Sequence, residues 1–140
     1  MRKKKRIMVC VTQQKSCERL ILHADEMRKH EGDEIHIVHV VKENWKYCGM
    51  LKESDALDYL FDASKGYGAS LSVIKATDIE ETLKSYAEKN KIDVIIMGES
   101  LESTAQQNMI KRLQKKITKP VLFEVVPNSL DEEDKIKKIV

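Results

Sequence analysis

Residues Asp93 to Ser100 (DVIIMGES) constrain the fold of this chain more than any other stretch. The apolar run Val94 to Met97, with two isoleucines and a valine, suits a strand covered on both faces, and such strands belong chiefly to parallel sheets. Gly98 stops the run. A glycine at the carboxyl end of a parallel strand either turns the backbone tightly or lets it approach a ligand closely. In open α/β sheets ligands bind outside the carboxyl ends of the strands, where the strand order reverses. Whether the loop after Gly98 has the chemistry to hold a ligand is therefore the central functional question.

The rest of the chain supplies the other layers. Arg6 to Thr12 (RIMVCVT) is a first strand, with Ile7, Val9 and Val11 on one face and Met8 and Cys10 on the other. Ser16 is a candidate N-cap for a helix carrying Leu20, Ile21, Ala24 and Met27 at helical spacing, which Gly32 ends. Glu34 to Val41 is the second strand. Asp55 to Lys65 reads as a helix with Leu57, Leu60 and Phe61 as its core stripe, and Gly66 or Gly68 beyond its end. Ala69 to Lys75 is the third strand. Overlapping capping boxes at Thr77 and Asp78 open a helix with Ile79, Leu83, Tyr86 and Ala87 on its apolar face. Ser103 or Thr104 starts another, with Met109, Ile110, Leu113 and Ile117 inward, and Pro120 leads into a fifth strand, Val121 to Val126. This alternation predicts one α/β domain over residues 1–127: a five-stranded parallel open sheet with helices on both faces and right-handed crossovers, Rossmann-like. Residues 128–140 form a charged tail. Its capping box (Ser129, Glu132) and i,i+4 charge pairs such as Asp131 with Lys135 suit a short helix.

Composition narrows the function classes. A chain of 140 residues that is 41% hydrophobic and 34% charged can bury its own core. The basic stretch Arg2 to Arg6 precedes only a short apolar run, so neither a signal peptide nor a membrane span is expected, and the expected location is the cytoplasm. With 25 basic and 23 acidic residues no global field points to nucleic acid, and the basic stretch reads as a solvated lead-in to the first strand. Cys10, Cys17 and Cys48 lack C-x-x-C spacing and read as reduced thiols, Cys10 within a strand. Cys17 near a helix start would be reactive only with a neighbouring base, which the local sequence lacks. His36 and His39 point to opposite faces of their strand, and His23 and His30 lie nearly two turns apart, so no metal site is expected. Ser70, Ser72 and Ser85 have no evident histidine–acid partners, and no catalytic residue is assigned.

Several stretches together resemble the universal stress protein superfamily. Ile7 to Thr12 followed by Ser16 to Ile21 (SCERLI) is similar to the stress-protein-like domain of KdpD-type potassium sensor kinases. Ala56 to Leu60 with Gly68-Ala69, Asp78 to Gly98, and Lys119 to Phe123 (KPVLF) match later passages of the family pattern, with Lys119 where cysteine is common. The resemblance covers residues 6–126 and implies an adenine nucleotide alpha-hydrolase-like fold, a role in stress or potassium signalling, and a homodimer through the fifth strand. An unpaired edge at Val121 to Val126 offers a physical route to that pairing.

ATP-binding members carry an aspartate at the end of the first strand, where this chain has Thr12, and a G-x-x-G-x(9)-G-[S/T] loop whose glycines bring backbone N–H groups onto phosphates. Gly98 matches the first glycine. Leu101 replaces the second, and Gln107-Asn108 stand where the final Gly-Ser would fall, in a shorter loop. Ser100, Ser103 and Thr104 remain as hydroxyl donors. The expectation is a non-catalytic sensing or interaction module with a degenerate nucleotide loop, no cofactor, and a protein partner as its target. The alternative retains ATP, AMP or cyclic di-AMP through Val11, Thr12, Val40, Gly98, Ser100, Gln107 and Asn108. The serine and F-T-A-x-Y motifs that resembling sensor kinases use for cyclic di-AMP are replaced by Gln13 to Ser16 and Ile37 to Val40. A receiver-like reading of Lys119-Pro120 lacks the strand-end carboxylates that hold magnesium, and the S-G-G-x-D-S loop of related hydrolases is absent.

Overall fold

The computed structural model describes residues 4–11, 17–30, 32–42, 58, 60–100 and 102–127. Five strands make one sheet: β1 (Arg6–Val11), β2 (Glu34–Lys42), β3 (Ser70–Ala76), β4 (Val94–Gly98) and β5 (Leu122–Val126). Their spatial order is β3-β2-β1-β4-β5, and every pairing is parallel. Helices α1 (Cys17–Met27), α2 (60–66), α3 (Ile79–Lys89) and α4 (Ser103–Lys116) connect them.

Strand periodicity sorts the core into two layers. Ile7, Val9, Ile37, Val94 and Ile96 face Leu20, Ile21 and Ala24 of α1 and Leu60 of α2. Met8, Val38, Ile95 and Met97 face Leu83 and Ala87 of α3 and Ile110 and Leu113 of α4. Val94 to Met97 are all buried, as an unbroken apolar run between two helical layers requires. Each such isoleucine removed from water contributes about 1.5–3 kcal/mol.

Polar groups fix the amino ends of the strands. Asp33 accepts from the Lys5 and Lys29 amides, and Asp93 accepts from the Arg6 amide at 2.9 Å while pairing with Lys119. Lys119 therefore ties the chain entering β5 to the start of β4, at the end of the sheet opposite Gly98. Glu34 gathers Lys4, Arg6 and His36, and His36 Nδ1 meets the Tyr86 hydroxyl at 3.0 Å.

Some boundaries and packing positions differ from expectation. Helix α1 ends at Met27, before Gly32, because the buried Asp33 carboxylate takes the Lys29 amide and draws the chain out of helical geometry. Phe61 is 56% exposed rather than a core residue, with the Lys65 ammonium 5.6 Å from its ring; Leu60, with Ala63 partly buried against the same core, faces inward from α2. Asp78, not Thr77, caps α3, accepting from the Glu81 amide. Gly68, at φ +64, takes the left-handed turn after α2. Thr12, Ser16, Cys48, Leu57, Leu101 and the expected tail helix lie outside the described residues. No described helix is long and apolar enough to cross a membrane.

Candidate functional site

The strand order reverses between β1 and β4. Connections running from β1 through β3 place α1 and α2 on one face, whereas α3 and α4 cover the other. The carboxyl ends of β1 and β4 therefore diverge into opposite layers, which opens a crevice above them. Registers of Cys10 with Met97 and of Val11 with His39 bring Val11, Val40 and Gly98 to that edge. Val11 is buried on the α1 side, and Val40 is half-buried on the α3 side. Thr12, the fourth expected contributor from this edge, lies outside the described residues.

The described loop amides after β4 already have acceptors, in β5 and in the loop's own side chains. The Glu99 amide donates to the Val126 carbonyl at 2.9 Å, the Ser100 amide to Gln106 Oε1 at 3.1 Å, and the Glu102 amide to Ser100 Oγ at 3.1 Å. Gln106 Nε2 completes the clasp by donating to the Gly98 carbonyl at 2.8 Å. A phosphate approaching in the manner of a glycine-rich loop needs such amides free. Here each of the three already has an acceptor. The Glu102 side chain makes no capping hydrogen bond to α4, and Gln106 bonds to the loop and to the end of β4.

Gly98 has φ outside the left-handed region, and a Cβ on it would find room: Arg19 Nη2 at 3.5 Å and Leu20 Cδ1 at 3.6 Å. A tight turn thus does not require this glycine. Ser100 is exposed with its hydroxyl accepting from Glu102. Gln107 and Asn108 are exposed within α4, turned away from the inward stripe of Gln106, Met109, Ile110 and Leu113. The fold brings Val11, Val40, Gly98 and Ser100 toward one end of the sheet but does not bring Gln107 and Asn108 into the loop's hydrogen bonding.

Three residues not anticipated from sequence contribute most to this region. Gln106 stands three residues after Ser103, the spacing of a capping box, and that was the available signal. Arg19 lies in the first turn of α1, where the helix dipole disfavours a cation; its Nη1 donates to the Pro127 carbonyl at 2.8 Å. His39, 3% exposed, holds the Val11 carbonyl through Nδ1 at 3.0 Å.

Burial pushes the Cys10 thiol up to about 12, because its sulfur is enclosed although the residue keeps some exposed surface. Among the described residues no cluster of three metal-ligating side chains occurs. A groove of about 320 Å³ lined by Ile74, Thr82, Ser85, Tyr86 and Lys89 lies between α3 and β3, two strands removed from the crevice.

A parallel sheet in this order, with its crevice at the β1–β4 reversal, defines a Rossmann-like α/β domain. The chain belongs to the universal stress protein family, whose model matches residues 4–123. Similar solved structures include a universal stress protein family member from Burkholderia pseudomallei, 18% identical over 85% of this chain and 94% of that one, with a TM-score of 0.57. A universal stress protein in complex with cAMP is 14% identical over 85% of this chain and 95% of its own, at 0.58. The Archaeoglobus fulgidus universal stress protein in complex with dAMP is 15% identical over 88% of this chain and 98% of its own, at 0.59. No curated protein matches the chain significantly.

Proposed function

We propose that this chain is a non-catalytic sensing or interaction module in which the crevice above β1 and β4 does not grip a triphosphate. The clasp of Gln106 on Gly98 and Ser100 carries this reading, because opening it for a phosphate would break hydrogen bonds at both ends of one carboxamide. The likeness of Ser16 to Ile21 to KdpD-type sensor kinases supports a signalling setting. Pairing of two copies along β5 suits the module, since β5 is an edge strand with Leu122 55% exposed. Calorimetric titration with ATP and cyclic di-AMP tests the reading; the expected outcome is no saturable ATP binding in the micromolar range, and such binding would overturn it.

A second reading keeps a smaller adenine nucleotide in the crevice. It is favoured by the neighbours solved with cAMP and dAMP and by the position of Val11, Val40 and Gly98 at one edge. Titrating AMP and cAMP alongside ATP separates the two readings.

A further inference from the structure

Among the described residues, two buried side-chain atoms lack a hydrogen-bond partner: Nε of Arg19, on α1 beside Gly98, and Nε2 of His39, on β2 opposite Val11. Buried polar atoms are nearly always satisfied, so each orphan calls for a partner that the described residues do not supply. The two are complementary in kind. Arg19 Nε is a donor. His39 Nδ1 faces the Val11 carbonyl, which only accepts, so Nδ1 carries a proton, and in the neutral ring Nε2 is then an acceptor.

Arg19 is also electrostatically out of pattern. Arg6, Arg28 and Arg112 each reach a carboxylate, on Glu34, Asp25 and Glu80. The Arg19 guanidinium instead has a carbonyl partner, Pro127, and stands in a helical first turn that disfavours positive charge. Its Nη2 faces the side of Gly98 where a Cβ would project, so glycine keeps the space between the guanidinium and β4 open.

We infer that Arg19 is the anion-recognising and specificity-determining residue of the crevice. Its guanidinium takes over from the loop amides and selects a small molecule bearing one terminal oxyanion, phosphate or carboxylate. The body of that molecule offers a hydrogen-bond donor to His39. This rests on the Glu99, Ser100 and Glu102 amides already having acceptors, and on the Arg19 guanidinium standing beside Gly98 with a carbonyl rather than a carboxylate as its partner. A planar guanidinium suits one compact oxyanion better than an extended triphosphate chain.

Adenosine, AMP, adenosine 5′-carboxylate and ATP, titrated by calorimetry into wild type, Arg19→Gln and Arg19→Lys, test the assignment. In wild type AMP or the carboxylate should bind roughly tenfold or more tighter than adenosine, and the tighter of the two identifies the oxyanion. Arg19→Gln should erase that preference and leave adenosine binding unchanged. A merely structural role for Arg19 would lower both together. Arg19→Lys should retain part of the preference, and decides the matter if Arg19→Gln fails to give a cooperative melt. An unchanged preference in the variants, or no binding of either anion, overturns the inference and leaves the reading of the Gln106 clasp standing. Micromolar ATP binding overturns that reading, while Arg19 is still judged by the AMP-to-adenosine ratio.

Discussion

The side-chain amide of Gln106 donates to the Gly98 carbonyl at 2.8 Å, across eight residues of chain. Its oxygen simultaneously accepts from the Ser100 amide, so one carboxamide fixes both the end of β4 and the loop beyond it. Gln106→Ala should cost about 0.5–1.5 kcal/mol for each hydrogen bond lost. Amide exchange at Ser100 should accelerate while the buried amides of β4 keep their protection. Gln106→Glu, which can accept but not donate at neutral pH, should be the more destabilising, because it sets a carboxylate against the Gly98 carbonyl. Urea denaturation of both variants checks the order.

Gly98→Ala should fold normally. Its Cβ would meet Arg19 and Leu20 at ordinary contact distances, and φ needs no glycine. Stability should stay within about 1 kcal/mol of wild type by thermal melting, since alanine also restricts the unfolded chain. A large loss would mean that the strand end depends on glycine after all.

The Glu34 carboxyl is held below its ordinary 4.5 first by the hydrogen bond from Lys4, then by that from His36. A depressed folded-state pKa stabilises the fold above the unfolded value, and that contribution disappears as pH falls through the folded value. Glu34→Gln should therefore melt below wild type at pH 7, with the gap closing as pH drops below about 4.3. Because Glu34 is more than a third exposed, the effect should be modest and shrink further in high salt.

At pH 8 a thiol of pKa about 12 is almost wholly protonated, so Cys10 should resist iodoacetamide in the folded protein and react on unfolding in urea. Peptide mapping after alkylation reads this directly. Labelling of native Cys10 would show the strand end to be open.

Leu122 donates its amide inward to the Asp93 carbonyl at 3.0 Å, so strand alternation turns the amides of Phe123 and Val125 to the open edge. Val125→Pro should leave the inner ladder intact yet abolish pairing along β5. Light scattering should show dimeric wild type and a folded, monomeric variant; a variant that remains dimeric places the interface elsewhere.

The alternation of strands and helices was legible because its signals are local: Val94 to Met97 is too uniformly apolar for an exposed strand, and Asp78 with Glu81 spells a helix start. Phe61 misled because a helical stripe says which residues share a face, not how far the covering layer extends. Gly98 was legible as the carboxyl end of β4, but the bonds that hold the residues after it come from Gln106, a polar residue whose contacts form only when α4 turns back over β4. Arg19 was equally hidden. Its bond to Pro127 spans 108 positions, and no local pattern encodes a contact of that range.

Sheet order has a consequence for synthesis. β1 pairs on one side with β2, which follows it closely, and on the other with β4, with Met8 opposite Ile95. A ribosome delivering residues from the amino terminus thus releases β1, β2 and β3 while one side of β1 still lacks its neighbour. Until Val94 to Gly98 emerges, the nascent half-domain presents an apolar strand with unpaired amides, the surface that chaperones shield and on which stalled chains aggregate. Chains truncated before Asp93 should stay chaperone-bound, and those carried through Val126 should be released.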